Sequence, residues 1–293
     1  PRKKMQLRNG DRVDYIPTPN LVLQVDSASV MENNIIRPDQ ADRMLDQVRF
    51  RLQPNEQILK GNLAQLDIFA TNDWKRPIYF TAGGFDGSLN LEDYYQLEGL
   101  AYKIVPIRTP RESILVMGDV NTEKMYHNLM HKFSWGRMNA EDVQLDYYTK
   151  RTLSVIRFRN TYTRLALKLL EEGDRGRAVE VLDRCMELAP HEVLPYDRYV
   201  AGITFPDGEG GQTHHEGIIE AYYMCGETDK ANALLREYYG ILSEEISFFN
   251  SLKQKRRSNV EQDWYEVMAQ IEELRMLLEK YGQKDLMLEL GIG

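Results

Sequence analysis

The second half of the chain contains a segment in which large and small apolar residues recur at helical spacing around a central glycine. The segment is "TYTRLALKLLEEGDRGRAVEVLDRCMELAP", and its patterned positions are Tyr162, Leu165, Ala166, Leu169, Gly173, Ala178, Leu182 and Pro190. Spacings of three and four residues place the apolar side chains on one face of a helix. The glycine is typical of the end of one helix, and the proline of the end of the next. The segment therefore predicts two helices that are joined by a short turn and packed against each other.

The same pattern recurs further along the chain. The segment "HHEGIIEAYYMCGETDKANALLREYY" has matching residue types at Ile218, Ile219, Tyr222, Gly226, Ala231 and Leu235, and a weaker copy has Ile271, Leu274 and Leu278 before Gly282. These positions match the tetratricopeptide repeat, whose period is about 34 residues. Because Gly173 and Gly226 are 53 residues apart (226 − 173), "VLPYDRYVAGITFPDGEGG" is predicted to be an insertion or an additional helix. The last copy is predicted to be a terminal capping helix.

The first half has a different character, because its apolar runs are rich in β-branched and aromatic residues. Four runs predict strands: "LVLQV" (21–25), "VRFRL" (48–52), "PIYF" (77–80) and "YKIVPI" (102–107). A helix is predicted before the third strand, with Leu59, Leu63, Leu66 and Ala70 on its apolar face, and a second helix over residues 91–100. A strand, helix, strand order favours a small, partly parallel sheet with right-handed crossovers.

Together these patterns predict an α+β protein with two domains. Residues 1–146 form a mixed α/β domain with a small, partly parallel sheet, and residues 147–293 form an α-helical tetratricopeptide-like repeat domain. The chain lacks an apolar run of the ~18 residues that a membrane-spanning helix needs, so no direct membrane insertion is expected. Since the chain starts "PRKKMQLRNG", without an initiator methionine, we expect that it is cut from a longer protein.

The charge of the chain argues against nucleic acid as a partner. The formal net charge is −8, and most of it belongs to the helical half. The basic run "KQKRR" (253–257) is therefore interpreted as a solvated helix face or turn. Cys185 and Cys225 are the two cysteines, which excludes a disulfide scaffold. Both are predicted to be buried in helices as small apolar residues, and one bridge between them is left open.

No motif for catalysis, a metal or a cofactor stands out. His127 and His131, with Glu123 one turn earlier, have the spacing of metal ligands, but Asn128 replaces the glutamate of a zinc hydrolase motif and a helix surface is favoured. His214, His215 and Glu216 are interpreted as a turn and the start of a helix. The pairs Tyr147–Tyr148, Tyr222–Tyr223 and Tyr238–Tyr239 are attributed to repeat packing rather than to a carbohydrate- or peptide-binding surface.

The stretch "TNDWKRPIYFTAGG" (71–84) ends in a glycine pair, which raises the question of a phosphate-binding loop. The following "GGFDGSLN" fits neither a dinucleotide-binding nor a P-loop spacing, and Asp86 would repel an anion. A strand followed by a turn is therefore predicted. The sequence thus predicts no catalytic residue, no metal and no cofactor.

Two runs in the first half carry a family likeness. The runs "ILKGNLAQLDIFATNDWKRPIYF" and "YYQLEGLAYKIVPI" resemble the C-terminal soluble part of large Bacteroidetes membrane proteins of the domain-of-unknown-function 2723 family, which are similar to multi-spanning glycosyltransferases of the protein O-mannosyltransferase type. The likeness covers about residues 21–107. It implies that glycosyl transfer from a lipid-linked donor belongs to a membrane-embedded half of such proteins, which this chain does not contain.

The resemblance implies a non-catalytic, extracytoplasmic accessory domain at the periplasmic face of the inner membrane. Its expected partners are the membrane-embedded part of the same protein and an acceptor protein or glycan. Two other functions stay open: an independent repeat module that binds a peptide or protein in its groove, and an enzyme with a carboxylate site drawn from Asp67, Asp73, Glu92, Asp93 and Glu98.

Four residues within the resembling runs are the candidate binding site: Trp74, Arg76, Gln96 and Glu98. A tryptophan next to an arginine is suited to stack on a sugar ring or a peptide side chain, while the amide and the carboxylate accept hydrogen bonds. The alternative is structural. In that case Arg76 and Glu98 form an ion pair and Trp74 covers the edge of the sheet.

Overall fold

The chain divides into two compact units. A computed structural model describes residues 3–6, 10–16, 18–52, 58–81, 89, 91–109, 117–155, 157–206, 211–253 and 259–292. The units are Pro1–Asn121, which contains small mixed sheets, and Thr122–Gly293, which is mainly helical apart from one β-hairpin. The α+β fold class is therefore confirmed.

The unit boundary lies earlier than the change in pattern between residues 146 and 147. A short helix at Thr122–His127 packs with the helices of the second unit, and its Glu123 binds Arg177 there at 2.8 Å. Residues 122–146 carry little periodicity of their own, so their membership in the second unit is decided by these tertiary contacts.

The first unit contains eight described strands and two α-helices. The strands are β1 Lys3–Gln6, β2 Arg12–Tyr15, β3 Asn20–Gln24, β4 Gln47–Arg51, β5 Tyr79–Thr81, β6 Tyr95–Leu97, β7 Ala101–Ile104 and β8 Asp119–Val120. The helices are α1 Ser27–Glu32 and α2 Lys60–Asn72, with 3₁₀ turns at Pro38–Arg43 and Glu92–Tyr94. The strands form the antiparallel pairs β1–β2 and β3–β4 and a four-stranded sheet of order β5-β7-β6-β8, in which β6 and β8 run parallel.

The predicted crossover topology is wrong. Strands β3 and β4 pair directly and antiparallel, in a sheet separate from β5 and β7. The helix predicted over residues 91–100 is also wrong, because a 3₁₀ turn and strand β6 occupy that segment. Gly99 adopts φ +115°, a conformation that glycine reaches without steric cost, and the turn lets β6 pair with β7. Strand pairing has thus overridden the local helical pattern.

Helix α2 is present as predicted, but its buried face differs from the predicted one. Asn62 and Phe69 are buried, whereas Leu59 and Ala70 are exposed. The Asn62 side-chain oxygen accepts a hydrogen bond from the Leu59 N–H at 2.9 Å, which satisfies a backbone donor at the start of the helix. The ring of Phe69 lies 6.2 Å from that of Phe80, so the helix packs on the four-stranded sheet through its aromatic residue.

The second unit consists of helices and one hairpin. Its elements are α3 Thr122–His127, a π-helical turn at Asn128–Lys132, α4 Tyr147–Val155, α5 Phe158–Glu171, α6 Arg175–Leu188, β9 Gly202–Pro206, β10 Gln212–Glu216, α7 Ile218–Met224, α8 Thr228–Ser251, α9 Glu261–Lys280 and α10 Lys284–Leu290. The long segment before α7 is therefore an insertion that contains the antiparallel pair β9–β10, and its described residues include no additional helix.

Three helix pairs share one kind of turn. Gly173, Gly226 and Gly282 follow the first helix of each pair with φ between +67° and +84°. In each turn two backbone N–H groups bond back to the preceding helix in the same pattern, as Gly173 to Leu170 and Asp174 to Leu169 show. The apolar positions that the sequence pattern selects in the first two pairs are buried, so the patterned faces form the core of the unit.

Both cysteines are free and buried, and their predicted burial is confirmed. Cys185 lies within α6 as predicted, whereas Cys225 lies in the turn directly after α7. Burial raises the pKa of the Cys185 thiol to about 12 and also raises the pKa of Cys225. Because the thiolate is the reactive form, neither residue should react with a thiol reagent in the native protein at pH 8. We expect two free thiols per chain after denaturation without reductant. A titration that finds none would show a disulfide bridge instead.

Candidate functional site

The four-stranded sheet of the first unit has one polar and one apolar face. Tyr79, Lys103, Gln96 and Asp119 lie opposite one another across β5, β7, β6 and β8. Because side chains alternate along a strand, these four point to the same face, and the next row in the same direction contains Glu98 and Asn121. Their backbones continue the sheet, with the Glu98 N–H bonded to Ala101 and the Asn121 N–H bonded to Leu97.

The opposite face of this sheet is aromatic. Tyr95 packs between Phe80 at 5.6 Å and Tyr102 at 5.7 Å, measured between ring centroids. Leu97 and Val120 extend this row and are buried. The apolar face therefore provides the aromatic core of the sheet, whereas the opposite face carries polar side chains that are themselves mostly buried.

The polar face is built around Glu98. We call Tyr79, Gln96, Glu98, Lys103 and Asn121 the sheet-face cluster. One carboxylate oxygen of Glu98 accepts hydrogen bonds from the Lys103 ammonium and, at 2.8 Å, from the Asn121 amide, and the other accepts one from the Tyr79 hydroxyl at 2.6 Å. The side chains of Glu98 and Lys103 are 3% and 5% exposed. The result is a buried ion pair with additional hydrogen bonds.

The hydrogen bonding of the cluster limits its chemistry. Burial and the hydrogen bond to Glu98 raise the pKa of Tyr79 well above its ordinary value, so the phenol stays protonated and donates. Donors occupy both oxygens of Glu98, so this carboxylate is not placed to take a proton from a substrate. The Gln96 side-chain oxygen is buried without a hydrogen-bond partner among the described residues. The arrangement favours a structural or recognition role over acid–base catalysis.

Two of the four predicted site residues, Gln96 and Glu98, belong to the sheet-face cluster, and the other two lie elsewhere. Trp74 is only 5% exposed and follows α2 in a left-handed turn, where its indole N–H donates to the Gln24 carbonyl at 2.7 Å. Trp74 and Arg76 do line one cleft, but it has space for at most about one water molecule. The Trp74 indole is therefore buried in this structure, and its stacking on a sugar or peptide stays a prediction.

The predicted ion pair between Arg76 and Glu98 is also absent. Arg76 is exposed, and Lys103 neutralises Glu98 instead. A signal for Lys103 was present in the sequence, because it interrupts the apolar strand "AYKIVPI". A lysine in such a strand needs a buried partner, and the acidic residue just before the turn supplies it.

The carboxylates of the alternative catalytic site have different partners. Asp73 pairs with Lys75 at 3.8 Å, and Asp93 with Arg108 at 3.4 Å. Asp67 is exposed on α2. Across the described ranges, no group of three or more histidine, cysteine, aspartate or glutamate side chains is arranged to hold a metal ion.

The two histidine groups, the basic run and the glycine-rich segment differ in their structural settings. The rings of His127 and His131 are 6.0 Å apart between centroids, while Glu123 of the same candidate site binds Arg177. His214, His215 and Glu216 do not form a turn, because they belong to strand β10 and α7 begins two residues later. Residues 254–257 of the basic run and residues 82–88 and 90 of the glycine-rich segment lie outside the described residues.

The tyrosine pairs divide into buried and exposed members. Tyr222, Tyr223 and Tyr238 are buried, which fits repeat packing. Tyr147 and Tyr148 on α4 are 70% and 76% exposed, with their rings 5.6 Å apart.

The sheet-face cluster lies in the part of the chain that matches a known protein family. Residues 1–124 match the family model TMEM260-associated domain 2. This region resembles a domain of TMEM260-related proteins. The match contains the whole cluster and ends close to the unit boundary at Asn121. No curated protein and no solved structure matches the chain. Within the described residues, none of the helices combines the length and the apolar character that crossing a bilayer requires.

Proposed function

We propose that this chain is a non-catalytic, extracytoplasmic accessory domain of a TMEM260-type membrane protein with glycosyltransferase-like chemistry in its membrane-embedded part. The observation that carries the proposal is the match of residues 1–124 to a TMEM260-associated domain. The domain steadies the membrane-embedded part or presents an acceptor protein or glycan to it. The periplasmic face of the inner membrane is the proposed location.

The chemistry of the first unit supports a non-catalytic role. Glu98 is the most buried of the five candidate carboxylates, and its oxygens are occupied by Lys103, Tyr79 and Asn121. A general base needs an accessible lone pair within hydrogen-bond reach of the substrate. Glu98 is therefore suited to holding the strands of the sheet together rather than to catalysis.

The second unit supports a role in contacting another protein. Paired helices stacked along a chain present extended surfaces, which repeat proteins use for binding. On α4, Tyr147 and Tyr148 offer exposed amphipathic rings of the kind that is enriched at interfaces. We assign the contact with the acceptor or with the membrane-embedded part to the helical unit.

The proposal is tested by adding the full chain to vesicles that contain the membrane-embedded part of a TMEM260-type protein. We expect the chain to sediment with these vesicles and not with empty vesicles of the same lipids. We also expect transfer of sugar from a polyprenyl-phosphate donor to need the membrane-embedded part, because the chain alone should show no turnover.

Two results would contradict the proposal. Turnover of the donor by the chain alone would show that it is an enzyme. Equal sedimentation with empty vesicles, or none with either kind, would show that it does not recognise the membrane-embedded part. A Tyr147→Ala/Tyr148→Ala variant locates the contact. Its matched control is Tyr265→Ala, which removes one exposed tyrosine from α9.

A further inference from the structure

A buried carboxylate and a histidine connect the β-hairpin of the second unit to two helices. His214 on β10 contacts Glu220 on α7, with 2.6 Å between the imidazole Nε2 and a carboxylate oxygen. Its other ring nitrogen, Nδ1, lies 2.9 Å from the Thr204 hydroxyl on β9 and 3.7 Å from a carboxylate oxygen of Glu273 on α9. The imidazole therefore bridges both hairpin strands and both helices.

The carboxylates in this cluster have unequal partners. Glu220 is fully buried, and its second oxygen accepts hydrogen bonds from Lys280 at 2.6 Å and from Tyr281 at 3.2 Å. Glu273 accepts the Thr204 N–H at 2.9 Å through one oxygen, while its other oxygen has no hydrogen-bond donor among the described residues. Among the described residues, the protonated imidazole of His214 is the one cation within ion-pair distance of the Glu273 carboxylate. Loss of the imidazole proton thus leaves Glu273 without a cation, while Glu220 keeps Lys280.

We propose that His214 is a pH-sensitive latch, which holds the β9–β10 hairpin to α7 and α9 while its imidazole is protonated and loosens this attachment when the proton leaves. The protonated ring interacts with carboxylates of both helices through its two nitrogens. The neutral ring keeps the contact with Glu220 but loses the charge that attracts Glu273. The attachment to α9 is therefore the part that weakens.

The sign of the effect follows from the surrounding charges. The hydrogen bond to Glu220 raises the pKa of His214, the charges of Glu220, Glu273 and Glu216 add to it, and burial opposes them. A group whose pKa is raised by folding contributes stability that is fully present below its ordinary pKa of about 6.5 and is lost as the pH rises through the raised value. The latch is therefore closed in mildly acidic solution and opens in alkaline solution.

Three neighbours of the imidazole have shifted pKa values that keep their charge unchanged where His214 titrates. Burial raises the pKa of Glu220, but the hydrogen bonds from His214 and Lys280 together hold it below its ordinary value, so Glu220 stays ionised. Burial lowers the pKa of His215, which stays neutral. Burial and the contacts with Glu220 raise the pKa of Tyr281, so it stays protonated. The pH dependence above the ordinary histidine pKa of about 6.5 is thus assigned to His214.

Hydrogen–deuterium exchange of the described hairpin amides, 202–205 and 212–216, tests the latch. After correction for the intrinsic pH dependence of exchange, we expect the hairpin of the wild-type chain to lose protection between about pH 6 and 9. The protection factor of the hairpin amides should fall by up to about tenfold for each pKa unit by which folding raises the pKa of His214. In His214→Gln, which cannot be protonated, the corrected protection should be the same at both pH values and as low as in the alkaline wild type.

A matched variant and a second measurement keep the result unambiguous. His131→Gln removes an exposed histidine of the same unit and should keep the wild-type profile. An NMR titration should show that His214 titrates above the ordinary histidine value, and circular dichroism should show that each variant is folded. The latch is excluded if His214→Gln keeps the wild-type pH profile, or if His214 titrates at or below its ordinary value.

Discussion

Replacing Glu98 with glutamine should destabilise the first unit by about 3–5 kcal/mol, the usual cost of removing one partner of a buried ion pair. The substitution leaves the Lys103 ammonium, which is only 5% exposed, without a compensating charge. It also replaces an acceptor of the Tyr79 and Asn121 hydrogen bonds. Thermal unfolding of the full chain should show a transition lowered by about 10–20 °C for a unit of this size.

Two further variants show whether this loss comes from the uncompensated charge. Glu98→Leu combined with Lys103→Met removes both charges and should be more stable than Glu98→Gln, because apolar residues often replace a buried pair without loss. Arg76→Ala is the control, since Arg76 is exposed and does not contact Glu98 in an ion pair. It should remain within about 0.5 kcal/mol of the wild type. A Glu98→Gln transition at the wild-type temperature would refute the buried pair.

Replacing Arg159 with methionine should cost the second unit a similar amount, about 3–5 kcal/mol. Arg159 is 1% exposed, and its guanidinium donates to the carbonyls of Ala189 and Pro195 at 2.9 Å each and to that of Leu194. It also lies 3.6 Å from the Asp197 carboxylate. Methionine fills part of the space but leaves three carbonyls without this donor and a carboxylate without its cation.

Denaturant unfolding of Arg159→Met, Arg159→Lys and Arg184→Met measures this effect. Lysine keeps the charge but lacks the planar fork that reaches several carbonyls, so its loss should be intermediate. Arg184 forms an exposed pair with Glu187 on α6, and its replacement should cost at most about 1 kcal/mol. Equal stability of the Arg159→Met and Arg184→Met variants would show that the buried guanidinium does not hold the segment after α6.

Features that depend on local pattern could be predicted from the order of residues alone. Helical spacing and turn glycines were sufficient to place the helix pairs around Gly173 and Gly226, because a left-handed glycine and the helix end that it caps belong to one short segment. The burial of Cys185 and Cys225 followed from their apolar positions within α6 and directly after α7. The α+β class followed from the contrast between the two halves of the chain.

The candidate site could be predicted only in part. Gln96 and Glu98 are two positions apart, which is the spacing of side chains on one face of a strand, so a shared face was within reach of local pattern. That Gln96 lies in a strand and Glu98 directly after it was not, because the segment 91–100 also has helical spacing and only pairing with β7 and β8 decides against a helix. Trp74 looked like a ligand-binding side chain in a polar turn, but its indole is buried against the Gln24 carbonyl, 50 residues earlier in the chain.

Only the tertiary structure decided which charges meet. Lys280 and Glu220 are 60 residues apart, and Arg159 reaches carbonyls that follow the next helix in the chain. The same is true of His214, whose partners come from β9, α7 and α9. Periodicity and capping act over a few residues, whereas a buried charge is stable only where packing brings its partner within hydrogen-bond distance. The helices of the second unit could therefore be predicted from the sequence, whereas the polar networks could not.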